Sequence, residues 1–340
     1  MKKMKAVHIS GNGKVSLMEK EKPVPRKGEV LLKIRYVGFC GSDLNTFLGN
    51  NPMVKLPVIP GHEIGAIVEE VTEGVPDVIK KGMACTVNPY THCGYCSSCR
   101  NGRPNACRYN QTLGVQRNGA MCEYLVVPWE KVVADDEIDV RTLALVEPMS
   151  VGFHAVSRAE VTDTDTVMVI GCGMVGMGAI VRSVIRGARV IAVDVDDEKL
   201  KIAKKLGAEY GINSKAEKVH ERLSDITQDM GADVIVEAVG SPATYRMAVD
   251  EVSFTGRVVC IGYAKSEVAF DTKYFVSKEL DIRGSRNALP GDFRAVAQYF
   301  KRNDNSETFI SAVYPPEKAG EALEYWAANP GKIFRILIEF

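Results

Sequence analysis

A chain of 340 residues is long enough for two domains and a large buried core. Lysine plus arginine and aspartate plus glutamate each total 43, a balance that leaves no basic footprint for nucleic acid or an anionic membrane surface. The uncharged apolar run at residues 166–181 is broken by four glycines and is too short to be a membrane-spanning helix.

The opening residues carry Lys2, Lys3 and Lys5 and no apolar stretch of signal-peptide length, so a cytoplasmic protein is expected. Nine cysteines in a reducing compartment point to metal ligands before disulfides. Four of them, Cys85, Cys122, Cys172 and Cys260, lie in mostly apolar surroundings and read as core.

From Met4 to about Val146 the pattern is short and alternating, with segments 30–34, 65–68 and 123–127 separated by Gly and Pro turns. This predicts a β-rich domain. Inside it, residues 93–107 place Cys93, Cys96 and Cys99 in a Cys-x-x-Cys rhythm, and Cys107 closes the set. Four thiolates fill every position of one tetrahedral Zn²⁺ and leave none for substrate, which makes the site structural. A disulfide knot or an iron–sulfur cluster would use the same residues, but nothing in the chain signals secretion and zinc is preferred. Arg100, Arg103 and Arg108 around the lobe read as a solvated face rather than as a zinc-ribbon surface for nucleic acid.

From about Thr164 apolar strands alternate with helical stretches, the texture of parallel β-α-β units. The strand 166–170 runs into Gly171-Cys172-Gly173-Met174-Val175-Gly176 and then a helix with Met177, Val181, Val184 and Ile185 on one face, stopped by Gly187. A second strand, 189–193, ends at Asp194. Strand, glycines, helix, strand and acid in this order form a dinucleotide-binding fingerprint. The first glycine permits the turn, the second admits pyrophosphate, and the third lets helix and strand pack closely. Asp194 would accept from the ribose hydroxyls and repel a 2′-phosphate, so NAD is expected over NADP, with Lys199 the nearby cation that speaks for phosphate.

The alternation continues through a helix within 214–229, a strand at 233–237, a capped helix start at Ser241-Pro242, and strands at 256–262 and 280–282. After Gly284 it fades, and the apolar strand 332–340 is expected to return to the first domain. The expected division is 1–150 with 284–340, including a zinc lobe at 88–110, and 151–283.

Three polar segments stand in apolar sequence, at 38–43, 60–63 and 146–149, carrying Cys40, His62 with Glu63, and Glu147. These side chains are competent zinc ligands, and three protein ligands with an open position define a catalytic site. Spacing alone does not bring them together. Taken singly, Cys40 reads more commonly as a small core residue, His62 as a satisfied loop histidine and Glu147 as a helix-start acid.

The motifs Gly-Phe-Cys-Gly-Ser-Asp, Gly-His-Glu, the thiol lobe, Glu-Pro-x-Ser-Val-Gly-x-His-Ala and the nucleotide fingerprint occur in the order seen in zinc-dependent medium-chain dehydrogenases. The chain resembles their sorbitol (polyol) dehydrogenase branch over essentially its whole length. It is also similar to threonine dehydrogenases and to bacterial sugar-acid 5-dehydrogenases acting on gulonate or galactonate. The resemblance implies an α/β protein, with a β-rich GroES-like catalytic domain and a Rossmann domain built on a doubly wound parallel sheet. It implies NAD and two zinc ions per chain, one catalytic and one structural, and a homodimer or homotetramer.

Carried over residue by residue, the resemblance makes Cys40, His62 and Glu147 ligands of the catalytic zinc. Glu63 becomes an exchangeable fourth ligand or an acid behind the ligands, and Ser42 the proton-relay hydroxyl. Zinc would lower the pKa of a substrate hydroxyl, and NAD would receive the hydride. Some relatives have a histidine where this chain has Asn45, which is no base near neutral pH. The proton is therefore expected to leave through Ser42 and a water held by Glu63 or Glu147. Arg286 could hold a substrate carboxylate through two parallel hydrogen bonds, and equally could bind the cofactor or an interdomain carboxylate.

The implied activity is oxidation of a secondary hydroxyl on a polyol or aldonate, a small molecule. Threonine dehydrogenase is a second reading. A non-catalytic nucleotide-binding regulator is a third, which intact Cys40, His62 and Glu147 argue against.

Overall fold

The strand Glu29–Gly38 sends Val30, Leu32 and Ile34 into the core and buries Leu31 as well, with Lys33 exposed, and the sheet of the first unit forms around it. A computed structural model describes residues 2–11 and 13–340 of the chain. The strand pairs antiparallel with Glu63–Val71, with Tyr124–Pro128 and, through its last residues, with Arg335–Glu339. The full sheet has seven strands. Its main path runs Ile310–Tyr314, Arg335–Glu339, Glu29–Gly38, Glu63–Val71, Ala84–Val87, Val132–Ala134, and Tyr124–Pro128 joins it on Glu29–Gly38. Its core gathers Val30, Leu32, Ile34, Ile64, Val68 and Ile336, each adding about 1.5–3 kcal/mol by burial. The apolar tail thus returns to the first domain as expected.

The chain divides into two units, one running to Pro148 and resuming at Leu289–Phe340, the other Met149–Ala288. The boundaries expected from sequence fall at 150 and 284.

Strand register positions the polar segments of the first unit. Gly38 sits opposite Glu63 on one side and Leu337 on the other. Cys40 lies just past the end of its strand, and His62 just before the start of the neighbour. A side chain at position 38 would collide with the Glu63 carboxylate and press on Arg335 Cδ at 3.3 Å. Glycine there leaves room for both.

In the second unit six parallel strands run in the order Tyr210–Asn213, Arg189–Asp194, Thr166–Ile170, Ala232–Glu237, Val252–Cys260, Asp281–Gly284. The winding reverses between Thr166–Ile170 and Ala232–Glu237. Their carboxyl ends form the switch point at which open α/β sheets bind ligands. The helix Met174–Ile185 buries Met177 and Val181, whereas Ile185 is 51 % exposed and leaves the expected apolar face, because it stands at the end where the chain turns away. Gly187, at φ +85°, ends it, and its N–H donates to the Val184 carbonyl at 2.9 Å. Ser241 caps the helix Pro242–Glu251 by accepting from Thr244 N–H. No helix among the described residues is long and apolar enough to cross a membrane.

Candidate metal and nucleotide sites

The four lobe cysteines present sulfurs all within 4.8 Å of one another. Cys96 Sγ lies 3.5 Å from Cys99 Sγ and 3.8 Å from Cys107 Sγ, and Cys93 Sγ 4.0 Å from Cys99 Sγ. Four sulfurs each about 2.3 Å from a tetrahedral ion stand roughly 3.8 Å apart, so the set fits zinc. All four are free thiols. The N–H groups of Cys96 and Tyr109 donate to Cys93 and Cys107 sulfurs at 3.3 Å and hold these two side chains in place.

At the second centre Cys40 Sγ, a His62 ring nitrogen and a Glu63 carboxylate oxygen lie within 4.8 Å of one another. Cys40 is the N-cap of the short helix Gly41–Phe47. Buried Asp43 ties the two arms of the site together, because its Oδ2 accepts from Cys40 N–H at 2.8 Å and its Oδ1 from Gly61 N–H at 3.4 Å. Glu147, in the first turn of Val146–Ala159, stands outside the 4.8 Å set, with its Oε1 accepting from the Tyr90 hydroxyl.

Arg335 Nε lies 2.8 Å from Glu63 Oε2, and both side chains are buried. The Nε–H is poorly aligned on that oxygen, so the contact is an ion pair and not a hydrogen bond. Its Nη1 donates to the Phe39 carbonyl at 2.9 Å.

The charges act on one another. Burial pushes the Cys40 thiol up, but the His62 ring, followed by Arg335, outweighs it and leaves the thiol below its ordinary value. Burial alone would lower His62, yet Cys40, Glu147 and Asp43 raise it well above an ordinary histidine. Glu63 is held far above the carboxylate range by burial, against which Arg335 is the strongest opposing influence, while Cys40 and Glu147 add to the upward push. Negative charge crowded around one point suits a divalent cation, which takes the place of the protons these groups otherwise keep. Ser42 Oγ and His62 Nδ1 are buried without a protein partner. These orphaned atoms and the donor types fit a zinc site with a neighbouring hydroxyl.

In the second unit Gly171 adopts φ +95°, and a Cβ at Gly176 would run into the Gly171 carbonyl. A Cβ at Gly173 would meet no protein atom within 4 Å, the clearance a dinucleotide phosphate needs. Met174 and Val175 open the helix that follows. Asp194 Oδ2 accepts from Cys172 N–H at 2.6 Å and its Oδ1 from Val195 N–H at 2.7 Å, so this acid also holds the glycine turn in shape. Lys199 is buried in Asp197–Lys205, and Arg286 follows the strand Asp281–Gly284 in the second unit.

Sequence reading did not single out Asp43, Tyr90 or Arg335 as site residues. Only Arg335 had a signal, as a lone charge inside the apolar run 333–338.

A half-buried sulfur with a buried imidazole and carboxylate, together with a four-thiol lobe and a glycine-turn Rossmann unit, defines a zinc- and dinucleotide-dependent oxidoreductase. Residues 26–137 match the alcohol dehydrogenase GroES-like domain and residues 175–302 the zinc-binding dehydrogenase domain. The chain is 30 % identical to a sorbitol dehydrogenase of Halalkalibacterium halodurans, over 96 % of each chain. It is 31 % identical to the L-galactonate-5-dehydrogenase of Escherichia coli K12, over 95 % of each. Among solved structures, an alcohol dehydrogenase from E. coli CFT073 in complex with NADH superposes with a TM-score of 0.88 at 27 % identity, covering 99 % of each chain. The protein belongs to the zinc-binding alcohol dehydrogenase family, near its polyol and sugar-acid branch. It is an oxidoreductase with zinc and NAD as its cofactors.

Proposed function

We propose that the protein oxidises a secondary hydroxyl of a polyol or of a sugar acid such as gulonate or galactonate, with hydride passing to NAD. The observation that carries the reading is the donor set of Cys40, His62 and Glu63, with Glu147 close enough to raise the His62 pKa. The similarity to a sorbitol dehydrogenase and an L-galactonate-5-dehydrogenase supports the substrate class.

Cys40, His62, Glu63 and Glu147 are the side chains that would hold the catalytic zinc, and the four lobe thiols the structural one. Bound zinc supplies Lewis acidity that makes a nearby hydroxyl easier to deprotonate. Ser42 Oγ, buried and without a protein partner, takes the substrate proton and passes it outward. Asn45 does not serve as base, since its amide nitrogen donates to the Gly41 carbonyl at 2.9 Å. Arg335 partly neutralises Glu63 and leaves that carboxylate exchangeable. The turn 171–176 receives the pyrophosphate, Asp194 the ribose hydroxyls, and Lys199 supports the adenosine end. Arg286 remains a candidate for a substrate carboxylate or for the cofactor. The working form is a homodimer or homotetramer in the cytoplasm.

NADH fluorescence with a panel of four- to six-carbon polyols, aldonates and amino acids tests the reading. Turnover is expected with polyols or aldonates. Preferential oxidation of threonine would replace this assignment with an amino-acid dehydrogenase.

A further inference from the structure

Two half-buried cations in the first unit lack an acidic partner. Among the described residues neither Arg117 nor Lys131 has a carboxylate oxygen within 4.0 Å, whereas Arg141, Lys301 and Arg335 of the same unit each pair with one. Lys131 Nζ donates to the Tyr90 carbonyl at 2.6 Å. Arg117 Nη2 reaches the Pro89 carbonyl at 3.4 Å, and its Nε is buried with no acceptor. The two positive charges are close enough that Arg117, after burial itself, depresses the Lys131 pKa. A guanidinium with one long bond to a carbonyl and an idle Nε–H is poorly explained as a structural clamp.

The loop carrying Arg117 is fastened to both sides of the metal centre. Gly119 N–H donates to Ile59 O at 2.7 Å, Ala120 N–H to Gly61 O at 2.9 Å and Met121 N–H to Pro60 O at 3.0 Å, directly before His62. A side chain at position 119 would strike the Gly61 and Pro60 carbonyls, so the two segments touch backbone to backbone. At its other end Leu113 N–H donates to Pro89 O at 3.2 Å, directly before Tyr90, whose hydroxyl bonds Glu147. Tyr90 is fixed further by its ring, which packs edge-on against Phe293 with centroids 6.2 Å apart. Arg117 and Lys131 therefore gather at the backbone end of Tyr90, and Glu147 lies at its phenol end. One tyrosine residue links the two ends.

The metal centre cannot attract an anion by itself. With a divalent ion bound, the Cys40 thiolate, the Glu63 and Glu147 carboxylates and Arg335 would sum to zero, and buried Asp43 adds no positive charge. Any charge-based preference for an anionic substrate must come from other residues.

We infer that Arg117, with Lys131 behind it, recognises an anionic group on the far end of a polyhydroxy substrate, a carboxylate or a phosphate ester, away from the carbon that is oxidised. The inference rests on the dehydrogenase reading above and narrows its substrate class. The guanidinium edge offers two parallel N–H bonds to such a group, and Lys131 adds charge without direct contact.

The test compares kcat/KM for an aldonate, a polyol phosphate and neutral sorbitol in wild type, Arg117→Gln and Arg117→Lys, with exposed Lys201→Ala as control. Calorimetric binding of the same three compounds to the holoenzyme without NAD gives a readout independent of turnover. An anionic substrate should be preferred, and the choice between aldonate and phosphate ester identifies which anion is read. Arg117→Gln should lower the anionic-to-neutral ratio ten- to hundredfold, the weight of a charge-assisted hydrogen bond, with Arg117→Lys in between. Equal use of all three compounds by the wild type, or an equal loss for all three in Arg117→Gln, overturns this inference alone. No turnover of any of them overturns the dehydrogenase reading and the inference with it.

Discussion

Arg335 Nε stands 2.8 Å from Glu63 Oε2 in a region from which water is excluded, so a residue late in the chain neutralises a carboxylate of the metal centre. Removing one partner of a buried ion pair costs about 3–5 kcal/mol, because the other charge is stranded. Arg335→Met is therefore expected to lower the melting temperature and the zinc content, and Glu63→Gln in the same chain to restore part of the stability. Thermal melts and metal analysis of the single and double variants check this, and an additive double variant would mean that the two side chains act independently.

Proton release gives a second test. Glu63→Gln should reduce turnover by at least tenfold more than Asn45→Ala, since the Asn45 amide is no base near neutral pH and its nitrogen is engaged by the Gly41 carbonyl. Steady-state rates at saturating substrate decide it. Equal losses would remove Glu63 from the proton route.

The thiol lobe should behave as a separate stabilising element. Cys99→Ser is expected to lose one zinc equivalent and several degrees of thermal stability, because binding energy at a structural zinc adds to folding energy. Chelation followed by alkylation should label the lobe first. Cys85 and Cys122, buried and with thiols pushed up to about 12, should label only on unfolding. Mass spectrometry of modified peptides reads the order.

Asp194 carries two tasks, so its replacement should show two effects. Asp194→Ala is expected to weaken NADH binding at least tenfold and to lessen discrimination against NADPH. Amide exchange should also rise at Cys172, whose N–H loses its acceptor. Fluorescence titration and hydrogen exchange separate the two, and unchanged exchange would confine Asp194 to the cofactor.

Contiguous features were legible in the sequence. The thiol lobe, the glycine turn with Asp194, the Ser241 cap and the strand character of the last segment follow from local spacing and periodicity, and the structure has each of them. The meeting of Cys40 with His62 and Glu63 depends on the register that sets Gly38 against Glu63, which no local pattern encodes. Arg335 entered through a pairing between residues distant in the chain, and Tyr90 through the packing of its ring. Ile185 departed from its expected face because a periodicity argument does not see where a helix end leaves the sheet.

The placement of Arg335 on the last strand also orders the assembly of the two metal centres in time. The four lobe thiols are all present once the ribosome has passed Cys107, and they can capture an ion while most of the nucleotide unit is still unmade. The other centre has its sulfur and imidazole early, but its counter-charge arrives only when translation reaches Arg335. Until then Glu63 lacks the guanidinium that offsets it, so the reactive centre is completed after the thiol lobe.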